Sequence, residues 1–307
     1  MAPGTHIGRG TRHGERMKTS FAAPDARSLP EPRGHGTSLS RTRRRRDTAG
    51  RRPSMTHEEA LEIVRELRIT SAAHGTVHGD FDRVKAALDG RPDAVAALNA
   101  LDSAKVEETP QGSAAHRGCR EILEYMLQRG VAPDVFMMCA LGMADHLRWA
   151  LRRRPELANS RGAHGIHALN HSADRATAEL LLHYGADPNY PIYEAWDWTP
   201  VHEAAANGRI DVLSAVCDYG GRIDGPYYCT TPLHAAARNG HAAVVRWLLE
   251  NGAGCDPIGK GGPYEGRTAQ DMAKENGHEP IVAELDGWRP GSSICGLPSV
   301  VRVSAGS

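Results

Sequence analysis

Apolar residues recur at helical spacing along most of the chain, beginning near residue 56. Thr56 and Glu59 match a capping box, in which two side chains satisfy free backbone N–H groups at a helix start. Leu61, Val64 and Leu67 follow at intervals of three residues, which places them on one helix face. The pattern predicts an N-capping helix over residues 55–69. Similar short apolar clusters return at regular intervals up to residue 286 and predict a series of further helices.

Two well-preserved copies of one motif lie 32 residues apart. They read Thr199-Pro-Val-His202 and Thr231-Pro-Leu-His234, and each is followed by small residues, an Asn-Gly pair and a run rich in Val and Leu. Thr suits a helix N-cap, Pro suits the first helical turn, and Gly suits the left-handed turn that ends a helix. On this motif and its period near 33, the chain resembles the ankyrin-repeat family.

The resemblance implies an all-α fold, a solenoid of stacked helix-turn-helix units with loop or β-turn fingers. Sliding the motif along the chain places about six or seven repeats within residues 70–286, starting at roughly 70, 109, 133, 164, 199, 231 and 268. The units near 70, 133 and 164 depart most from the motif, so the count stays open by about one. Leu248 and Leu249 of the best-preserved unit are expected to be core residues.

The two ends of the chain lack this periodicity. Residues 1–54 hold 13 Lys and Arg against 4 Asp and Glu, although the formal net charge of the whole chain is zero. This composition predicts a disordered basic tail, and the Gly- and Ser-rich residues 287–307 predict a loose C-terminal tail. Two interpretations of the basic tail remain open. The arginines from Arg41 to Arg46 could contact nucleic acid phosphates, or Met55 could be the native start.

Cysteine usage and hydropathy bear on the compartment. The six cysteines are scattered without a C-x-x-C pair, which is typical of reduced thiols in a cytosolic protein. No apolar run of about 18 residues predicts a membrane span, and the N-terminus has no apolar segment typical of a secretory signal. We therefore expect a cytoplasmic protein without a membrane segment, and expect it to be a monomer.

The aromatic residues are concentrated in three predicted fingers, residues 189–198, 224–229 and 256–266. These segments hold five of the eight Tyr and two of the five Trp. Tyr and Trp are enriched among interface hot spots, so the fingers predict a partner-binding surface. The acidic residues Glu194, Asp197, Asp224 and Glu265 in the same segments indicate a basic partner. Packing of finger against finger is the alternative role for each ring. The candidate partner-binding residues are Tyr190, Tyr193, Trp196, Trp198, Tyr227, Tyr228 and Tyr264.

No residue pattern predicts catalysis or cofactor binding. His167, His202 and His234 hold the fourth position of the motif, and the resemblance implies a structural hydrogen-bonding role for them. His167 and His171 have zinc-ligand spacing, but Ala168 stands where a metalloprotease motif has Glu, so no metal site is expected.

The sequence therefore predicts a non-enzymatic, protein-binding module of scaffold or adaptor type. The resemblance places recognition of the partner protein on the inter-repeat fingers and the concave helix face. No cofactor and no small-molecule substrate are expected, and nucleic-acid association through the basic tail is the alternative function.

Overall fold

The computed structural model describes residues 55–67, 80–101, 106, 109–192, 198–225, 230–255, 257–260 and 262–288. These residues form mostly short α-helices. The α-helices are α1 (His57–Leu67), α2 (Phe81–Leu88), α3 (Pro92–Ala100), α4 (Pro110–His116), α5 (Arg120–Gln128), α6 (Val135–Ala140), α7 (Ala144–Arg153), α8 (Arg175–His183), α9 (Pro200–Ala206), α10 (Ile210–Asp218), α11 (Pro232–Arg238), α12 (Ala242–Glu250), α13 (Ala269–Glu275) and α14 (Glu279–Gly287). Short 3-10 segments lie at Pro155–Asn159, Ala163–Gly165, Ala168–His171 and Gly262–Tyr264. This observed architecture is the predicted all-α repeat fold.

Consecutive helices pair into similar units from Thr109 onward. Thr109 and Thr268 accept hydrogen bonds from backbone N–H groups three residues later, at 2.9 and 3.1 Å, as the motif predicts for an N-cap. The unit placed near 133 begins one residue later, because Asp134 is the N-cap of α6 and accepts from Met137 N at 2.8 Å. Of the unit placed near 70, the structure describes the second helix, α2.

The core is formed by small residues and by second helices that bury apolar side chains on two of their faces. Leu248 and Leu249 are both buried, which confirms their predicted place in the core. The first helices α9, α11 and α13 pack side by side, and Ala205 and Ala237 are fully buried on them. Side chains of this size allow the close approach of neighbouring helices.

The unit registered on residue 164 departs from the others. Gly208 and Gly240 end α9 and α11 with φ of +72° and +81°, and Ala173 occupies the same repeat position. Alanine carries a Cβ that disfavours this left-handed turn. The first helix is here replaced by the 3-10 segment Ala168–His171, so two α-helices in this unit are not observed.

Arg209, the first residue after the next Gly turn, supports this broken helix. Its guanidinium donates to the backbone oxygen of Ser172 at 2.5 Å and to that of Asn170 at 3.3 Å. The later units use a histidine at the same position, since His241 contacts Ala206 O at 2.8 Å and His278 contacts Arg238 O at 3.0 Å. These three units thus each supply a side chain that caps the first helix of the unit before it.

The N-terminal part contains the expected capping box. Thr56 N donates to Glu59 Oε2 at 2.8 Å, and Glu59 N donates to Thr56 Oγ1 at 3.2 Å. Helix α1 packs against α3, which follows α2 where the other units have a finger. None of the helices in the described part is long and apolar enough to cross a membrane.

Candidate functional site

The structure describes three of the seven candidate partner-binding residues. Tyr190, Trp198 and Tyr264 lie in described segments, whereas Tyr193, Trp196, Tyr227 and Tyr228 lie outside the described residues. Of the acidic finger residues, Asp224 and Glu265 are described, and Glu194 and Asp197 lie outside. The basic tail, residues 1–54, also lies outside, as do most of the residues predicted as the C-terminal tail.

The base of the first finger is held by hydrogen bonds on both sides. Ile192 N donates to Trp198 O at 2.6 Å, which joins the two described ends of this finger. Asn189 ties the same finger to the next unit, because its Nδ2 donates to Gly220 O and its Oδ1 accepts from Arg222 N, each at 2.9 Å. The base of the first finger is therefore held in place by the repeat stack.

Tyr190 lies between two side chains of the divergent unit. Its ring stacks on His167 with centroids 3.8 Å apart and planes inclined by 22°, and the Arg161 guanidinium lies 5.0 Å from the ring centroid. Burial, together with the charge of Arg161, lowers the pKa of His167 to about 4, so its imidazole is neutral at pH 7. The phenol ring is half-buried and fixed in orientation.

Trp198 is also half-buried, at the start of α9. Its indole Nε1 donates to Glu203 Oε2 at 2.9 Å, and its ring centroid lies 5.4 Å from that of His202. The next ring in this row is Tyr264, whose centroid lies 6.4 Å from that of Trp198. The first and third fingers thus meet over the first helices.

Tyr264 differs from the expectation that it faces a partner. Its side chain is only 4% exposed, because the third finger folds back over α11. The ring meets His234 edge-on at 6.3 Å, and the Arg238 guanidinium lies 5.6 Å from the ring centroid. Finger packing, the alternative role, accounts for this position, so the ring stabilises the third finger.

Two motif histidines have the structural role implied by the repeat. His202 Nδ1 lies 3.2 Å from Thr199 N, and its Nε2 lies 3.3 Å from Thr230 O. His234 Nδ1 lies 3.3 Å from Thr231 N in the same way, so both rings link a helix start to the following unit. Burial lowers the pKa of both imidazoles, that of His202 to about 4. This confirms the structural role of these two residues.

His167 lacks these bonds, because residue 164 of its unit is His where the units of His202 and His234 have Thr199 and Thr231. Its Nε2 is buried without a hydrogen-bond partner, as are the side-chain polar atoms of Asn170, the Nε2 of His171 and the hydroxyl of Ser172. Buried polar groups of this kind usually bind an internal water. Among the described residues, no group of three or more His, Cys, Asp or Glu is arranged to hold a metal ion.

The repeat motif did not predict the capping role of Arg209 in this region. Arg209 stands where His241 and His278 stand in the later units, so a comparison of repeat positions could have indicated its capping role. Its two backbone acceptors could not have been found in this way, because the motif alone does not indicate that the preceding helix is broken.

The sequence is similar to known repeat proteins. The family model described as ankyrin repeats, in three copies, matches residues 166–260 and 228–286. Cyclin-dependent kinase 4 inhibitor B of Bos taurus is 37% identical over 93 residues, which is 30% of this chain and 70% of that protein. The residues matched by the family model lie within the repeat stack.

Proposed function

Because the chain belongs to the ankyrin-repeat family, whose repeats generally mediate protein–protein interaction, we propose that it is a scaffold or adaptor protein. It recognises a partner protein through its fingers and through the concave face of the first helices. It acts by binding and carries out no catalysis. The proposal concerns the repeat region, since that is the part matched by the family model.

The row of rings at the finger bases carries this proposal. Tyr190 and Trp198 are half-buried and held by His167 and by Glu203, so each presents part of a ring in a fixed orientation. A rigid aromatic side chain loses little conformational entropy when a partner covers it. The finger between these two residues, with Tyr193 and Trp196, is the proposed centre of the interface.

Charge supports a basic partner surface. Glu265 is exposed on the third finger, and Glu194 and Asp197 belong to the first finger. Asp224 has a structural task instead, because its Oδ1 accepts from Gly254 N at 3.0 Å and ties the second finger to the next unit. Complementary charge would increase the association rate and select among partners.

The relative gives an example of this mode of action. Its name describes an inhibitor of a cyclin-dependent kinase, so a protein similar to part of this chain acts on another protein. We propose by extension that the partner of this chain is a folded protein. Its surface would be covered by the three fingers, which together we call the finger row. The chain would act as a monomer in the cytoplasm, where its free cysteines, buried Cys139 among them, would remain reduced.

Affinity capture from native lysate, read by mass spectrometry, tests the proposal. The wild-type chain is compared with a Trp196→Ala, Tyr227→Ala, Tyr228→Ala variant whose folding is checked by circular dichroism. Tyr219→Ala is the matched control, because Tyr219 is exposed at the end of α10. We expect a partner that the control retains and the finger variant loses. Equal capture by all three proteins would refute the role of the fingers.

A further inference from the structure

A groove of about 500 Å³ lies away from the finger row, where the first units meet. It is bordered by the end of α3, the start of α4, the start of α6 and the end of α7. We call it the Trp149 groove. Its apolar lining consists mainly of Leu98, Leu101, Val135, Met138, Ala150 and Leu157. Its volume is in the range of natural ligand sites, so it can enclose a large side chain.

The rim of the groove combines an exposed indole with an unpaired positive charge. Trp149 is 53% exposed, and the Arg153 guanidinium lies over its ring at 4.1 Å from the centroid. The neighbouring Arg154 forms an ion pair with Glu156 at 3.0 Å. Arg153 forms no ion pair or hydrogen bond with any of the described residues. Its position on the indole leaves the N–H groups of a planar guanidinium edge able to bind a carboxylate.

The wall of the groove contains a buried acceptor without a donor. Gln111, in the first turn of α4, is 3% exposed, and its Oε1 has no hydrogen-bond partner among the described residues. The nearby Asp134 carboxyl, in contrast, accepts from Thr109 Oγ1 at 2.7 Å and from Met137 N at 2.8 Å. An unsatisfied buried carbonyl is unfavourable, and a peptide N–H is the donor that a bound chain would bring.

We propose that the Trp149 groove binds an extended acidic peptide segment of a partner protein. An apolar side chain of the segment enters the groove, an adjacent Asp or Glu pairs with Arg153, and a backbone N–H donates to Gln111 Oε1 once the Gln111 side chain turns towards the groove. This inference rests on the proposed protein-binding function and names a second, separate contact. The finger segments contain Glu194, Asp197 and Glu265, whereas the groove presents Arg153, so the two surfaces favour segments of different charge.

A segment of the chain itself is the alternative occupant of the Trp149 groove. Residues 102–108 join Leu101 to Thr109, both of which line the groove, and they include Glu107 and Glu108. If this segment occupied the groove, neutralising its carboxylates would free the site and strengthen the binding of an added peptide. The proposal instead requires that the double substitution Glu107→Gln, Glu108→Gln leaves the peptide affinity within about twofold of the wild-type value.

Selection from a random peptide library tests the proposed chemistry without a known partner. The full chain is immobilised and displayed peptides are selected, first on wild type and separately on Arg153→Glu. We expect wild type to enrich peptides with Asp or Glu beside an aromatic or aliphatic residue. We expect Arg153→Glu to enrich Lys or Arg at that place, because the charge at the rim is reversed.

Affinities of one enriched synthetic peptide, measured by fluorescence anisotropy, complete the test. Trp149→Ala and Arg153→Glu should each weaken binding at least about tenfold, as for hot-spot residues. Arg120→Glu is the control, since Arg120 is exposed on α5 and pairs with Glu124. The finger variant Trp196→Ala, Tyr227→Ala, Tyr228→Ala should bind the peptide as wild type does. This separates a failure of the groove from a failure of the fingers.

Two results would overturn the proposal. One is a set of enriched peptides without charge preference, or with affinity unchanged by Trp149→Ala and Arg153→Glu. The other is a gain of more than about twofold in peptide affinity when Glu107 and Glu108 are neutralised, which would assign the groove to the chain's own segment. Circular dichroism of each variant verifies that the fold is intact.

Discussion

Buried imidazoles make the stability of this protein depend on pH. Burial lowers the pKa of His202 to about 4 and, with the charges of His116 and Arg209, that of His171 to about 3. In the unfolded chain both groups titrate near 6.5, so the unfolded state binds more protons between these values. The stability present above pH 6.5 is therefore lost as the pH falls towards 4.

We expect the free energy of unfolding to decrease by about 2 kcal/mol for each of these histidines between pH 7 and pH 5. Urea denaturation at the two pH values measures this change. His202→Gln should reduce the difference between them, because it removes one titrating group. An equal free energy of unfolding at both pH values would show that the rings are not held neutral by the fold.

Core packing in the best-preserved unit gives a second prediction at this scale. Leu249 is buried on α12, so Leu249→Ala should lower the free energy of unfolding by about 2–5 kcal/mol. Chemical denaturation measures the loss, and Glu250→Ala, at the exposed next position, should change it by less than about 0.5 kcal/mol. A loss below about 0.5 kcal/mol for Leu249→Ala would mean that the repeat register is wrong.

At the scale of elements, the 3-10 segment Ala168–His171 contains a buried polar side chain that lowers the stability of the protein. Asn170 is 7% exposed with both side-chain polar atoms unpaired, and Ala205 and Ala237 occupy the same place in later units. Asn170→Ala should raise the free energy of unfolding by about 1 kcal/mol, because it removes buried unsatisfied groups. Thermal unfolding measures the gain. Asn170→Asp should destabilise the protein, since it buries a charge at the same place.

The cap supplied to this segment by Arg209 gives a prediction of the opposite sign. Arg209→Ala leaves the carbonyl groups of Asn170 and Ser172 without their donors. We expect a loss of about 2–3 kcal/mol, the range for hydrogen bonds from charged groups. Arg222→Ala is the control, because Arg222 is exposed and bonds Asn189 through its backbone N–H, which the substitution keeps. Equal denaturation midpoints for the two variants would contradict the capping role.

The elements predictable from sequence are those defined by local chemistry. Thr231, Pro232 and His234 define a helix start through contacts within four residues, and the structure has α11 there. The one-residue shift at Asp134 arises because its carboxyl caps α6, which Pro133 cannot do. Tyr264 could not be placed from sequence, because its burial depends on a finger folding back across two units.

At the scale of the whole molecule, stability should vary along the stack. Each unit of a repeat protein contacts mainly its neighbours, so a weak unit can open without the rest. The unit registered on residue 164 has a short 3-10 segment where α9 and α11 have full helical turns. The stack thus contains a less protected unit between better-packed ones.

Hydrogen exchange read by mass spectrometry can measure this difference. We expect backbone amides of residues 163–173 to exchange at least about tenfold faster than those of α9 and α11, because fewer helical hydrogen bonds protect them. Asn170→Ala should slow this exchange. Uniform protection across the three segments would show that the stack opens as one cooperative body.

The reach of Arg209 into the preceding unit limits how freely these repeats can be exchanged. In repeat proteins built from near-identical modules, one unit can be transplanted or duplicated with little regard to its neighbour. Here the broken helix and the arginine that completes it belong to different units. A duplication or shuffling event that moved only one of them would leave either bare carbonyl groups or a guanidinium without its acceptors. In this part of the chain, two adjacent repeats therefore have to be duplicated or moved together.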